Sequence, residues 1–363
     1  MKVTKVDSEE VDVEGKKVIE NNEATFTLWY YLNGVRTQFG EEFTTKNGVL
    51  EVGNLPLRTY YLKEESAPKG YVQSEKELEI EVNDAYGTKK YIHEVVFENT
   101  KEKIGITGTK IWKGGPKPSI ELQLSRDGDP FGDPVSLDGT ESEPWTYTWT
   151  DLDKTDMDGK AYEYTVDEVN VPENYTREVG GNQEEGFSVT NTYTSPKTDV
   201  TVTKKWVNGH IEDEEVELQL LRNGEKFGEA VTTIALSYTW TGLDKTDTEG
   251  RAYAYTVAER AIPKNYVSEI SGDQDKGFTV TNRYTSPLKD VTATKIWNGG
   301  SDPKPAIWFE LYRQVSGGEP EKVDVQIKKL ANGTTEVTWE DVDETDEFGN
   351  EYSYSVKEVD ADG

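Results

Sequence analysis

Residues Tyr162-Glu163-Tyr164-Thr165-Val166-Asp167-Glu168 decide the fold. Side chains alternate in character along this stretch, which predicts a β-strand with one face toward a core. The two tyrosines, Val166 and Glu168 share that inward face. Because a carboxylate inside a core is costly unless it is neutral or paired, Glu168 requires a partner there.

The same strand pattern recurs along the chain. A copy that ends in Glu259 follows 91 residues later, and a further copy ends in Glu358. A shorter version, which ends in Glu64, lies near the start. In each of the three longer copies a tryptophan precedes the glutamate by 19 residues, so their register is the same. Repeats of this length indicate tandem small domains.

The composition favours an all-β fold. Thr, Tyr, Val and Trp are plentiful, and Asn-Gly turns at 33–34 and 47–48 separate short strands. We therefore predict tandem immunoglobulin-like β-sandwich domains in an elongated array. The expected domains are residues 1–102, 103–196, 197–287 and 288–363, the last of which stops before its closing strand.

Charge and cysteine content exclude several classes of protein. The formal net charge of −30 argues against nucleic-acid binding and against an anionic membrane surface, since both require clusters of Lys and Arg. The chain contains no cysteine, so any covalent cross-link must be something other than a disulfide. No stretch is long and apolar enough to cross a bilayer, and the start lacks an apolar signal core.

The alternation of side chains along each strand, with a period of two residues, identifies the partners of the inward glutamates. Each predicted first strand sends one lysine inward, and each closing strand sends one asparagine inward. The lysines are Lys5, Lys110, Lys204 and Lys295, and the asparagines are Asn99, Asn191 and Asn282. Each complete domain therefore brings one Lys, one Glu and one Asn into its core.

Two interpretations of this trio remain open from the residues alone. One is a buried salt bridge with an asparagine hydrogen bond, the usual state of buried charges. The other is amide formation, because burial disfavours both charged forms and leaves a neutral amine beside an electrophilic amide carbon. A protonated glutamate could polarise the carbonyl and move protons while ammonia leaves. The fold would supply the proximity.

The later domains resemble the B-type repeats of the collagen adhesin family (Cna B). The matching stretches are Lys110-Ile111-Trp112, residues 164–168 and Thr190-Asn191-Thr192-Tyr193, with counterparts in the next copies. The first domain resembles SpaA-like pilin domains, because residues 60–71 are close to the pilin E-box and depart from it at Glu65. This resemblance implies prealbumin-like sandwiches with intramolecular isopeptide bonds. The implied pairs are Lys5–Asn99, Lys110–Asn191 and Lys204–Asn282, with Glu64, Glu168, Glu259 and Glu358 as the catalytic acids.

Other candidate sites are weaker. Asp153, Asp156 and Asp158 suggest a calcium loop, but no Glu stands at the twelfth position, so a solvated turn is favoured. Residues 262–265 (Ile-Pro-Lys-Asn) resemble the sortase motif of shaft pilins, although a turn is again favoured. The two histidines, His93 and His210, lie in different domains, so no metal cluster or Ser-His-Asp set is expected. Core packing is favoured over sugar stacking for the tryptophans Trp145, Trp149, Trp240 and Trp308.

The resemblance implies a structural role. We expect a monomeric stalk segment of a Gram-positive cell-wall-anchored adhesin or pilin, outside the cell, without cofactor or metal and with signal and anchor elsewhere. One alternative is a region that binds a host matrix or cell-surface protein through the first domain or between domains. Another is a carbohydrate-active enzyme, which would need two facing carboxylates that the sequence does not offer.

The fourth copy is expected to be incomplete. The glutamate precedes the asparagine by 23 residues in both complete copies of this type, so the fourth asparagine would fall near residue 381. Lys295 should therefore remain a free amine, either paired with Glu358 or exposed. The domain should present an unpaired sheet edge where another strand could add, and should be the least ordered of the four unless a neighbouring molecule completes it.

Overall fold

The computed structural model describes residues 1–12, 15–83, 92–139, 145–209 and 215–363, so His210 lies outside it. These residues form 31 β-strands and no helix, and none of them provides a helix that could span a membrane. The chain divides into two compact units, Met1–Thr194 and Ser195–Gly363. Each unit contains two β-sandwiches, numbered here 1 to 4 in chain order.

Sandwich 1 consists of two facing sheets. Its strands are β1 (Lys2–Asp12), β2 (Gly15–Val18), β3 (Thr25–Leu32), β4 (Val35–Gln38), β5 (Phe43–Thr44), β6 (Val49–Glu51), β7 (Arg58–Ser66), β8 (Glu77–Val82) and β9 (Glu94–Asn99). One sheet has the order β2-β1-β6 with β9 parallel to β1, and the other has the order β4-β3-β7-β8 with β5 against β3. The predicted turns at 33–34 and 47–48 are confirmed, because all four residues have positive φ.

Sandwiches 2 and 3 repeat one topology. The strands of sandwich 2 are β10 (Lys103–Lys113), β11 (Ile120–Arg126), β12 (Asp129–Pro130), β13 (Val135–Leu137), β14 (Thr146–Asp153), β15 (Tyr164–Glu168), β16 (Tyr175–Asn182) and β17 (Gly186–Tyr193). Those of sandwich 3 are β18 (Lys197–Val207), β19 (Val216–Arg222), β20 (Glu225–Lys226), β21 (Val231–Thr233), β22 (Ser237–Asp244), β23 (Tyr255–Glu259), β24 (Tyr266–Asp273) and β25 (Gly277–Tyr284). The first and last strands pair in parallel in the sheets β14-β10-β17-β16 and β22-β18-β25-β24. The facing sheets place β15 against β11 and β23 against β19.

Sandwich 4 has a smaller first sheet. Its strands are β26 (Leu288–Thr294), β27 (Ile307–Gln314), β28 (Glu321–Lys322), β29 (Lys328–Leu330), β30 (Glu336–Asp343) and β31 (Ser353–Val359). Within the described residues β26 pairs with β30 alone, whereas β10 and β18 each have a partner on both sides. The second sheet, β28-β27-β29 with β31 against β27, keeps the topology of the earlier sandwiches.

The core of each sandwich lies between its two sheets, as the alternating patterns predict. Residues Phe26, Tyr60 and Phe97 meet in sandwich 1, for example. Sandwich 4 buries Trp339 and Leu311 in the same way. The half-buried tryptophans Trp145, Trp149 and Trp240 pack against these cores, which agrees with the prediction of core packing. The prediction is wrong for Trp308, which alternates with the core residues of β27 and lies on its outer face beneath Lys329.

The strand that carries Glu168 begins at Tyr164, two residues later than its sequence pattern predicts. The preceding residues belong to a turn, because Ala161 forms a bridge with Thr155. Tyr162 is only half-buried, and its ring packs against Tyr164 with 6.2 Å between centroids. The inward face of the remaining strand is buried as expected.

Candidate cross-linking sites in the sandwich cores

Parallel pairing of the first and last strands brings lysine and asparagine to one face. In sandwich 2 Lys110 lies opposite Val189, and Asn191 follows two residues further along the same strand. Side chains two residues apart on a strand share a face, so Lys110 and Asn191 both point into the core. The register is the same for Lys5 in sandwich 1 and Lys204 in sandwich 3.

Sandwich 1 holds its trio at hydrogen-bonding distances. Lys5 Nζ lies 2.8 Å from Glu64 Oε1, and both side chains are fully buried. Asn99 Nδ2 donates to Glu64 Oε2 at 2.9 Å and to the carbonyl oxygen of Val72 at 2.7 Å. The amide of Ser74 also donates to Glu64 Oε2, at 2.8 Å, so this glutamate is fixed by three neighbours.

Sandwich 2 uses both oxygens of its glutamate. Lys110 Nζ lies 3.3 Å from Glu168 Oε2, and Asn191 Nδ2 donates to Glu168 Oε1 at 3.1 Å. The lysine and glutamate side chains are both fully buried. The ammonium also lies 4.5 Å from the ring centroid of Trp112, a contact that favours its charged form.

Sandwich 3 repeats the arrangement with one difference. Lys204 Nζ lies 3.4 Å from Glu259 Oε1, and Asn282 Nδ2 donates to that same oxygen at 2.9 Å. The hydroxyl of Ser268 donates to Glu259 Oε2 at 2.7 Å. Ser268 lies opposite Asn282 on the neighbouring strand, where sandwich 2 has Arg177 opposite its asparagine. The repeat could not predict this contact, because β16 and β24, the strands beside the asparagine strands, carry different residues at this position.

In sandwich 4 the pair forms but is not enclosed. Lys295 Nζ lies 2.7 Å from Glu358 Oε2, as the repeat predicts. Glu358 was expected on a core face, yet 46% of its side chain is exposed, and 25% of the lysine is exposed. No described strand covers the second edge of β26, which leaves this face open.

Burial controls the protonation of the enclosed lysines. It lowers the pKa of Lys5 from 10.5 to about 8, against the opposing effect of Glu64. The same cause lowers the pKa of Lys110 and Lys204, and the negative charges of their glutamates partly oppose it. Each amine therefore loses its proton more readily than an exposed lysine does.

The amide carbonyl of each asparagine has no hydrogen-bond donor in the described part of the chain. The atoms are Asn99 Oδ1, Asn191 Oδ1 and Asn282 Oδ1, all buried. Buried polar atoms normally find partners, so three equivalent exceptions indicate a shared chemical cause. The amide NH₂ faces the carboxylate in all three, the orientation that an ionised glutamate favours.

The described residues contain no group of three or more His, Asp or Glu side chains that could hold a metal ion. The candidate calcium loop forms a turn in which Asp156 Oδ1 accepts the amide hydrogens of Asp158 and Lys160. Residues 262–265 also form a turn, since the Tyr266 amide donates to the Pro263 carbonyl at 3.1 Å.

The Cna protein B-type domain matches three parts of the sequence, residues 106–192, 200–283 and 291–363. The chain belongs to this family. Residues 1–100 match the SpaA prealbumin-like fold domain, which agrees with the distinct topology of sandwich 1. The Cna B matches cover sandwiches 2 to 4, and the predicted resemblance is confirmed.

Named relatives of this Cna B-type chain are surface proteins. The collagen adhesin of Staphylococcus aureus is 30% identical over 284 residues, which are 71% of this chain and 22% of that protein. The chain thus spans about a fifth of the length of this curated relative. The crystal structure of two B repeat units of the S. aureus collagen-binding protein is 25% identical in sequence. The match covers 99% of this chain and 92% of that chain, with a TM-score of 0.39. The major pilin subunit of Bacillus cereus is 17% identical, and the match covers 78% of this chain and 99% of that chain, with a TM-score of 0.27.

Proposed function

We propose that this chain is a stalk segment of a bacterial cell-surface adhesin or pilin, and that it forms its own Lys–Asn isopeptide bonds. The observation that carries the proposal is the enclosed Lys–Glu–Asn set, which recurs in three sandwiches between the first and last strands. Membership of the Cna B-type family supports the structural role and the extracellular location.

The bond would form in one turnover from groups already in contact. Lys110 passes a proton to Glu168, and the neutral amine attacks the Asn191 side-chain carbon. Asn191 presents its Nδ2 to Glu168, so the side-chain amide turns about its Cβ–Cγ bond to bring its unpaired oxygen to the protonated glutamate, which stabilises the charge that develops there. As the carbon–nitrogen bond of the amide breaks, the glutamate gives its proton to the departing nitrogen and takes the surplus proton from the attacking nitrogen, and ammonia leaves. The products are a secondary amide, ammonia and a protonated glutamate, and no amine remains for a second cycle.

The position of the bond explains its mechanical use. Tension applied at the ends of a sandwich enters through the first and last strands, which the Lys–Asn bond joins directly. The load bypasses the intervening chain, so the sandwich cannot extend far. Closing a loop of roughly 80 residues also stabilises the fold by about 4 kcal/mol on the loop-entropy account developed for disulfides.

Intact mass under denaturing conditions tests the proposal. Each bond releases ammonia, about 17 Da, so three bonds make the protein about 51 Da lighter than its sequence. Lys110→Arg keeps the charge but should reduce the deficit to about 34 Da, whereas Lys113→Arg, an exposed change on the same strand, should leave it unchanged. A mass equal to that of the sequence would reject bond formation.

A second candidate is binding of a host matrix protein by sandwich 1. A ridge of exposed apolar residues supports it, in which Tyr31, Leu32 and Val35 are each at least half exposed. Tyr31 packs against Tyr61 with 5.6 Å between ring centroids. The relative named collagen adhesin makes collagen the first ligand to test. Tyr31→Ser should reduce binding to immobilised collagen at least tenfold, and Val267→Ser, an exposed change in sandwich 3, should not.

A further inference from the structure

The acidic turn that the sequence repeats in each Cna B domain contacts the preceding sandwich inside both compact units. We define the docking turn as residues 155–159 in sandwich 2 and 345–349 in sandwich 4. Each turn is held internally by one carboxylate, Asp156 in the first and Asp346 in the second, which accepts two backbone amides. The turn is therefore a preformed surface rather than an open set of metal ligands.

In the first unit the docking turn fits closely against sandwich 1. Asn22 Nδ2 donates to the carbonyl oxygen of Lys69 at 2.8 Å and to that of Met157, in the turn, at 3.3 Å. A Cβ atom built on Gly70 would lie 1.8 Å from Thr155 Oγ1. Contacts this close leave no room for solvent between the turn and sandwich 1 at this point.

The first joint also contains a buried ionic network. Lys101 is 4% exposed, and its Nζ faces three carboxylates, those of Glu10 at 2.9 Å, Asp153 at 3.1 Å and Asp7 at 3.7 Å. Asp7 and Glu10 lie on β1 of sandwich 1, and Asp153 lies on β14 of sandwich 2. Lys103 makes a second bridge between these strands, 2.7 Å from both Glu9 and Asp153.

In the second unit the joint between sandwiches 3 and 4 uses neutral groups. The hydroxyl of Tyr284 lies 2.8 Å from Thr345 Oγ1. Thr345 Oγ1 also donates to Ser286 Oγ at 3.2 Å. The amide of Gly209, in sandwich 3, donates to the carbonyl oxygen of Glu347 in the turn at 2.7 Å.

The two joints are built at equivalent positions of the repeat. Lys101 follows Asn99 by two residues, and Tyr284 follows Asn282 by two residues. The residues four places after the asparagines are Lys103 and Ser286. Both joints therefore begin on the segment that leaves the cross-linking asparagine, directly along the path of the chain.

We propose that the docking turn fixes each of these sandwiches on the one before it, and that the residues two and four places after the asparagine select the chemistry of the joint. Lysines at these positions give an ionic joint in the first unit, and Tyr with Ser gives a neutral joint in the second. The proposal does not depend on isopeptide formation, because every contact that supports it is noncovalent. Under this proposal, tension carried by the chain segment that follows the asparagine reaches the next sandwich within four residues.

Spin labels on paired cysteines can test each joint in the full chain, which has no cysteine of its own. Exposed positions Val96 and Val179 span the first joint, and Val267 and Ile296 span the second. The width of each distance distribution reports how freely the two sandwiches move. Asp153→Asn should widen the distance distribution of the first joint at least twofold and leave that of the second joint unchanged. Thr345→Val should widen the distribution of the second joint and leave that of the first unchanged.

Two control variants test whether a substitution of this kind loosens the whole chain instead of one joint. Asp244→Asn and Thr246→Val alter the same repeat positions in sandwich 3 and should change neither distribution. Glu10→Gln gives a second test of the ionic joint at a partly exposed side chain, in case Asp153→Asn perturbs folding. Unchanged widths in both Asp153→Asn and Glu10→Gln, or equal widening of both joints by either variant, would overturn the proposal.

Discussion

Lys295 Nζ and Glu358 Oε2 approach to 2.7 Å although a quarter of the lysine and nearly half of the glutamate remain exposed. The corresponding residues of sandwich 3, Lys204 and Glu259, are 2% and 1% exposed. The ion pair therefore forms without a described strand along the second edge of β26, where β18 of sandwich 3 has β25, and it stays exposed. An exposed pair lacks the desolvation that favours a neutral amine.

Lys295 should consequently remain a free amine. We expect an amine-reactive acetylating reagent to modify it rapidly in the folded chain, while Lys110 and Lys204 stay unmodified. Mass mapping after digestion measures all three in one sample. A covalent bond between Lys295 and Asn332 or Asn350 would show that the register assigned to sandwich 4 is wrong.

Each bond should depend only on its own glutamate. Glu168→Ala should abolish the Lys110–Asn191 bond and leave the other two intact, because every member of a trio lies within one sandwich. Peptide mapping of cross-linked fragments provides the measurement. Glu163→Ala, on the exposed face beside the same strand, is the matched control and should retain all three bonds. Loss of a bond in an unmutated sandwich would contradict this independence.

Stretching single molecules should reveal the bond as missing length. In Lys110→Arg, unfolding of sandwich 2 releases the 81 residue-to-residue steps between positions 110 and 191, about 280 Å at about 3.5 Å per step. The wild-type chain should lack this extension step, because its load passes through the bond. Lys113→Arg should behave as wild type. An identical step in the wild-type chain would exclude a bond in sandwich 2.

A pH dependence should distinguish a free Lys5 from a bonded one. In Asn99→Ala the amine stays free, and burial holds its folded pKa near 8 while the unfolded value is 10.5. Between these values the unfolded chain binds more protons, so the free energy of unfolding rises with pH. The rise should total about 3 kcal/mol, since one pKa unit corresponds to about 1.4 kcal/mol.

Wild-type sandwich 1 should lack this rise, because an amide nitrogen does not titrate in that range. Denaturant unfolding at pH 7 and pH 10.5 for both chains gives the comparison, and their difference removes the contributions of all other groups. Parallel pH curves for the two chains would mean that Lys5 is equally free in both.

The sequence determined the strand faces and the membership of the trios. Alternation with a period of two requires that Lys110 and Asn191 each share a face with buried neighbours, whatever the rest of the chain does. The Asn-Gly turns followed in the same way from a local preference for positive φ. The spacing from Trp149 to Glu168 fixed the register of the later copies, because repeats of one length fold alike.

Only the tertiary structure decided how the trios are enclosed and joined to their neighbours. The contact from Ser268 to Glu259, the exposure of Glu358 and the burial of Lys101 all depend on which strand or sandwich lies alongside. Local patterns specify which way a side chain points, but burial and hydrogen bonding arise from contacts between residues distant in sequence. The repeated acidic turn illustrates the limit, because its composition favoured a solvated turn, whereas Thr155 and Thr345 at its start are buried.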